Sequence, residues 1–261
     1  MEIAVLVKQV PDTYSERKLT SDGILDRDAA DAVIDEIDSR GVEVALQLTE
    51  AHGGEVTVVT MGPQRATETL RKALAMGAHK AVHLLDDSLA GSDALQTSAA
   101  LAAALKTLPF DLVIAGNEAS DGKTGTVPAM LAERLGLPQV TSARKVTIDG
   151  STLSAEKVID GGYAEVTAPL PAVLSVSEKI AEPRYPNFKG IMAAKSKPVS
   201  TLGIAELGLD AATIGGAASP CQVVSSAPKQ ARAAGQKVSD DGTGGTGGSQ
   251  AAAFLAAERL I

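Results

Sequence analysis

Short apolar runs that do not alternate with polar residues recur along the first half of the chain: "IAVLV" (3–7), "EVTVVT" (55–60), "KAVHLL" (80–85) and "DLVIAG" (111–116), most of them rich in β-branched residues. A strand covered on one face alternates apolar with polar, so runs without alternation predict strands buried on both faces. Between them "DEIDSRGVEVALQLTEAHGG", "PQRATETLRKALAMGAH" and "SDALQTSAALAAALKTL" place apolar residues at helical spacing. Pro63 is positioned for a helix start, and Gly53 and Gly77 for helix ends. Strand, helix, strand, helix in this order predicts an α/β fold of three layers, a doubly wound and mostly parallel sheet.

The pattern changes after about residue 140. "ARKVTIDGSTLSAEKVIDGGYAEVTAPLPAVLSVS" has strand-like pieces broken by "DG" and "DGG", which predicts antiparallel hairpins extending the sheet. "SDDGTGGTGGSQ" (239–250) has the composition of a flexible linker, and "AAAFLAAERLI" after it reads as a short amphipathic helix. A helix that short does not hold itself together in water, so it is expected to dock on a neighbour, with a frayed terminus as the alternative. The domain expectation is therefore 1–210 for the sheet domain with its hairpins, and 211–261 for an extended C-terminal arm. No repeat of 20 to 50 residues is evident.

Charge narrows the function. A formal net charge of −8 over 261 residues argues against nucleic acid or an anionic membrane as the main partner, because both would repel the surface. The opening "MEIAVLVKQV" lacks a basic n-region, and its apolar run is too short for a signal peptide or a membrane span, so a cytoplasmic protein without membrane insertion is expected. A lone cysteine, Cys221, excludes an internal disulfide and a multi-thiolate metal site, and reads as a small side chain. His52, His79 and His83 have no ligand spacing. His52 reads as a helix-end residue and His83 as a hydrogen-bonded core group. Asp86 and Asp87 read as a turn, and neither a G-x-S-x-G elbow nor an HExxH motif occurs, so no catalytic or metal constellation is expected.

One loop stands out. "GNEASDGKTGTVPAMLAERLG" (116–136) follows an apolar strand and precedes helical text, the place where open α/β sheets bind ligands and where unpaired N–H groups favour anions. Gly116, Gly122 and Gly125 allow close approach, and Lys123 and Thr124 offer a cation and a hydroxyl. With neither a Walker pattern nor G-x-G-x-x-G, these residues alone leave two readings open, a nucleotide cradle and an ordinary Gly-containing βα loop.

"VKQVPDT", "TMGP" followed by "ETLRKALAMGA", "GNEASDGKTGTVPAMLAERLGLPQVT", "DGGYAEV" and "EPRYPNFKGIMAAKSKP" occur in the order and approximate spacing of the β subunit of electron transfer flavoprotein. The chain resembles that family from residue 1 to about 210. The resemblance implies a Rossmann-like, adenine-nucleotide-binding fold and a heterodimer whose α subunit holds most of a redox-active FAD. It implies a structural AMP in this chain, at Leu6, Asp35, Met61, Gly116, Ala119, Asp121, Gly122, Lys123, Thr124, Gly125 and Thr126. Asp35 stands where many relatives have an Asn that reads the adenine, and Thr126 replaces a common Gln. Tyr14 is expected near the flavin.

The basic stretch at about 182–198 is similar to the family's recognition loop. Arg184, Tyr185, Phe188, Lys189, Ile191 and Met192 are the expected partner-binding residues, with Phe188 at the anchor position. An apolar anchor rimmed by charge suits a small, transient interface. The implied function is a carrier, not an enzyme. Electrons would arrive from acyl-CoA dehydrogenases and leave through the electron transfer flavoprotein–quinone oxidoreductase, en route to the respiratory chain. The alternatives are an electron-bifurcating relative with a second FAD in place of AMP, and a universal-stress-type nucleotide-binding protein. Against the second, "GTGGTGG" lacks the strand-then-helix context of a phosphate loop. A synthetase-like ATP pyrophosphatase is disfavoured because the first strand leads into "KQVPDT".

Overall fold

The computed structural model describes residues 1–230, 234–240, 242 and 245–261. They fall into two compact units, Met1–Ser226 and Ala227–Ile261. Along the first run β1 (Glu2–Leu6), β2 (Gln9–Pro11), β3 (Ala32–Ile34), α1 (Glu36–His52), β4 (Glu55–Met61), α2 (Thr67–Met76), β5 (Lys80–Leu84), α3 (Ala94–Leu105), β6 (Leu112–Gly116) and α4 (Val127–Leu135). There follow β7 (Gln139–Asp149), β8 (Thr152–Ile159), β9 (Gly162–Pro169), β10 (Ala172–Val176), α5 (Phe188–Ala194) and β11 (Val199–Leu202). The second unit holds α6 (Thr246–Ala257).

Nine strands form one sheet in the order β11-β5-β4-β1-β6-β10-β7-β8-β9, parallel from β11 to β7 and antiparallel beyond it. From β1 the chain winds outward through β4 to β5, then crosses back to β6 on the other side of β1. Adjacent strand residues feed opposite faces. Val5, Val58 and Ile114 pack with Val42 and Leu46 of α1 and Leu70 and Leu74 of α2. Leu6, Val59 and Val113 pack with Leu101 and Leu105 of α3 and Leu131 of α4. Both faces being covered is why these strands read as unbroken apolar runs. Leu70, Leu74, Leu105 and Leu131 are fully buried, each worth roughly 2 to 3 kcal/mol of transfer free energy.

Helix ends follow local chemistry. The Asp35 side chain caps α1 by accepting from the Ile37 N–H, and Gly53 ends the helix at φ 74°. Pro63 precedes a 3-10 turn that leads into α2, which stops at Gly77. Asp93 and Gln96 form a reciprocal capping box on α3.

Three expectations are corrected. The sequence pattern groups "AVLSV" with the hairpins, yet β10 is a parallel strand inserted between β6 and β7, every residue of it buried. Hairpin geometry is confined to β7, β8 and β9: β7 starts parallel to β10, shifts register around Ser142 at φ 56°, and continues antiparallel to β8. The linker expected at 239–250 is helical from Thr246 onward, so the terminal helix starts earlier than 251 and ends at Ala257. Alanine-rich text with a polar first turn propagates helix into Gly247 and Gly248. Residues 241, 243 and 244 of that stretch lie outside the described residues. No residue of α6 is buried.

The first unit continues past 210. Ile214 is buried, and the Gln96 side-chain amide donates to the Thr213 carbonyl at 3.1 Å. Among the described residues no helix is long and apolar enough to cross a membrane.

Candidate functional site

The C-terminal ends of β4, β1 and β6 lie side by side, and the loop 117–126 leaves β6 there to enter α4. Leu6, Met61 and Gly116, at or beside these strand ends, are thereby brought to one edge of the sheet. Two aspartates at the start of α1 organise that edge. Asp38 accepts from the Lys8 N–H at 2.8 Å and the Gly116 N–H at 3.1 Å, joining the ends of β1 and β6. Asp35 accepts from the Ile37 N–H at 2.9 Å and the Ser120 N–H at 2.8 Å, so both its oxygens are engaged within the chain. Both side chains are buried. Burial, then the neighbouring Asp35 charge, push the Asp38 carboxyl up to about 8, against the pull of the Lys8 and Gly116 N–H groups.

Asp121 is the third carboxylate, and it is paired differently. Its side chain is 1% exposed and lies 2.8 Å from Lys8 Nζ and 2.6 Å from an Arg27 Nη. Burial would raise this carboxyl, but the two cations outweigh it and hold Asp121 below the usual range. Arg27 belongs to the excursion between β2 and β3, which also carries Tyr14, 94% exposed. Arg65 fastens the same excursion by donating to the Arg27 carbonyl and pairing with Asp28.

Beyond Asp121 the loop opens. Lys123 takes φ 49° and Gly125 φ 63°, while the Lys123 ammonium pairs with Glu118 at 3.2 Å. Gly122, Lys123, Thr124, Gly125 and Thr126 are exposed, and Ala119 is half-buried. The N–H groups of Thr124, Gly125 and Thr126 donate none of the hydrogen bonds found among the described residues. Thr126 is the N-cap of α4 but its side chain makes no capping bond. This run of donors at a helix start suits a phosphate. Among the described residues three buried polar atoms also lack a partner, Thr60 Oγ1, Asn117 Oδ1 and Ser120 Oγ, on β4 and on this loop. Buried polar atoms are rarely left unpaired, so their grouping at one sheet edge fits a polar ligand.

Sequence reasoning named the loop that holds Asn117 and Ser120 without singling them out, and passed over Lys8, Arg27, Asp38 and Thr60. Asp38 had a legible signal: it lies one turn before Val42 on the buried face of α1, where a carboxyl needs a partner.

The second surface is the 182–198 stretch. Asn187 caps α5 by accepting from the Gly190 N–H at 2.8 Å, and Phe188, its first residue, is 79% exposed. Tyr185, Ile191 and Met192 are exposed with it, as is Lys189. Arg184 turns the other way, forming ion pairs with Glu43 at 2.7 Å and Glu50 at 2.6 Å.

His79 and His83 are bonded within the fold. His83 is buried, its Nε2 2.9 Å from the Gly62 carbonyl and its Nδ1 3.3 Å from Thr67 Oγ1. His79 Nδ1 accepts from the Val56 N–H at 3.0 Å. Cys221 is exposed. No group of three or more potential metal ligands is found among the described residues. A 440 Å³ depression lined by Met1, His52, Asp111, Gly150, Ser151, Leu170 and Pro171 lies at the opposite edge of the sheet.

A family model described as "Electron transfer flavoprotein domain" matches residues 22–207. The chain is 55% identical, over 266 aligned positions and 99% of both chains, to "Electron transfer flavoprotein subunit beta" of Mycobacterium tuberculosis (strain ATCC 25618 / H37Rv). It is 53% identical, again over 99% of both, to the protein of that name in Mycobacterium leprae. Its counterpart in Bacillus subtilis (strain 168) is 38% identical across 80% of this chain and 82% of its own.

Proposed function

The chain belongs to the electron transfer flavoprotein family as a β subunit, with a role in electron transfer and an α subunit as its partner, and we propose that it holds a structural AMP at the sheet edge just described. The observation that carries this reading is the grouping there of partnerless polar atoms, Thr60, Asn117 and Ser120, with the unused N–H groups of Thr124, Gly125 and Thr126. The N–H groups and the start of α4 receive the phosphate, and Lys8 and Arg27 make that end of the site electropositive around Asp121. Asp35 serves here by holding Ser120 in place, since both its oxygens are already bonded.

FAD, held mainly by the α subunit, supplies the electron-accepting and electron-donating chemistry when bound. This chain contributes an edge of the flavin site through Tyr14 on the β2–β3 excursion, and makes no bond to substrate. It is a carrier subunit. The exposed face of Tyr185, Phe188, Ile191 and Met192 docks acyl-CoA dehydrogenases, and the electrons then pass to a quinone oxidoreductase.

Denaturing the purified heterodimer and identifying the released nucleotides tests the proposal. One FAD and one AMP per complex are expected. Two FAD would replace AMP with a second flavin, and retention of stoichiometric FAD by the isolated β chain would remove the shared site.

A further inference from the structure

The apolar docking face is fixed to the body of the domain at both ends. At its start, the Arg184 guanidinium forks across α1: its Nε and one Nη reach Glu43 at 2.7 and 3.0 Å, and its two Nη atoms reach Glu50 at 2.6 and 3.2 Å. The Arg184 N–H also donates to Glu43 at 3.1 Å. One turn earlier on α1, Arg40 donates to the Ala181 carbonyl and pairs with Glu182 at 2.9 Å. At its far end, Arg71 of α2 donates to the Ala194 and Lys197 carbonyls, and Lys197 reaches back to the Leu74 and Ala78 carbonyls at 2.9 and 2.6 Å. Between these ties α5 approaches α2 so closely that a Cβ on Gly190 would collide with the Ala75 carbonyl oxygen.

We infer that Arg184 is a positioning residue that presets the Tyr185–Met192 face before any partner arrives, and is not itself a contact to the partner. Glu43 is 5% exposed, so an Arg184 that swung out to meet a partner would leave a buried carboxylate unpaired. With Glu50 added, the guanidinium's charge is more than cancelled locally, which leaves it little steering power. Burial would raise the Glu43 carboxyl, yet the bonds from Arg184 and Gln47 hold it below the usual range. The side chain therefore spends its donors inward while Tyr185 and Phe188, on either side of the Asn187 cap, point to solvent. A docking face ordered in advance loses little conformational freedom on binding.

The inference rests on the docking role proposed above, and the experiment separates the two. Heterodimers carrying Arg184→Met, Arg184→Lys, Glu43→Gln, Glu50→Gln or Phe188→Ala are assayed as electron acceptors for an acyl-CoA dehydrogenase supplied with its acyl-CoA, with flavin content and melting temperature recorded. Arg184→Met and Glu43→Gln should each raise the KM for the flavoprotein by roughly 3- to 10-fold at unchanged kcat, the size expected from losing a preset face. The double variant should add little, because the two residues act as a unit. Arg184→Lys should rescue poorly, since an ammonium cannot fork across two carboxylates. The salt dependence of KM should match wild type in all of these. If Arg184→Met raises KM while Glu43→Gln and Glu50→Gln do not, Arg184 is a direct contact and the inference is overturned. If only Phe188→Ala raises KM, positioning fails and docking stands; if Phe188→Ala changes nothing, the docking role fails. Should Glu43→Gln not fold, the exposed Glu50→Gln and the exchange rate of the 185–192 amides in Arg184→Lys carry the decision, faster exchange with higher KM being expected.

Discussion

Lys8 Nζ, just past the end of β1, lies 2.8 Å from Asp121 Oδ1 in the loop after β6. This contact fixes the loop 117–126 to the centre of the sheet, and Arg27 completes it from the other side at 2.6 Å. Asp121→Asn should therefore cost about 1–3 kcal/mol, the range for losing hydrogen bonds between charged groups. It should also weaken nucleotide retention. Urea unfolding of the heterodimer and the AMP remaining after gel filtration measure both, and wild-type values for each would refute the assignment.

The Asp38 carboxyl gives a pH dependence with a definite sign. Its folded-state value, about 8, is above the ordinary 3.8, so the folded protein binds the extra proton over that window. Stability from this group is full below about pH 4 and declines as pH rises through about 8, at up to ~1.4 kcal/mol per unit. The charged groups that act on it are Asp35, which raises it, and Lys8, which lowers it. Comparing urea midpoints between pH 5 and 9, Asp38→Asn should have a flatter profile than wild type. An unchanged slope would show that Asp38 does not titrate there.

Gly116→Ala tests how tightly Asp38 is held. A Cβ at Gly116 would lie 2.5 Å from Asp38 Oδ1, so the carboxyl group has to move and its bonds to Lys8 and Gly116 stretch. The expected cost is about 1–3 kcal/mol of stability. In an Asp38→Ser background the same change should cost less, and a double-mutant cycle with no coupling would remove the contact from the explanation.

Phe188→Ala addresses the second surface. If the ring is an interface anchor, its loss should weaken docking to an acyl-CoA dehydrogenase by about 2 kcal/mol or more. Melting temperature should stay near wild type because the ring is 79% exposed and supports little of its own fold. Reduction of the flavin by dithionite should be unaffected. A drop of many degrees in melting temperature with docking intact would place Phe188 in the fold instead.

Much of the fold was legible in local text. Unbroken apolar runs gave β1, β4, β5 and β6, because helices cover both faces of those strands. Pro63, Gly53 and Gly77 marked helix boundaries through their restricted or permissive φ angles. "AVLSV" was misassigned because pairing partners are a property of tertiary arrangement, and five buried residues look alike in a hairpin or a central parallel strand. The same limit applied to the site. The glycine-rich loop announced itself, but the Lys8–Asp121 pair spans 113 positions and the Arg184–Glu43 pair 141, and no local window contains either. Arg184 and Lys189 look equivalent in a basic stretch, yet one is spent on α1 and the other faces water.

The place of β10 governs how the chain can be assembled. Its neighbours β6 and β7 are both synthesised before it, with the β7–β8–β9 meander complete by Pro169. The meander is made of short-range pairings and is able to form as the chain emerges, whereas the parallel half of the sheet ends at an open β6 edge until Ala172–Val176 arrives. One five-residue strand thus joins the two halves of the sheet. A chain ending before residue 172 and released from the ribosome would hold two incomplete sheets, each offering an unpaired edge to chaperones or to other chains.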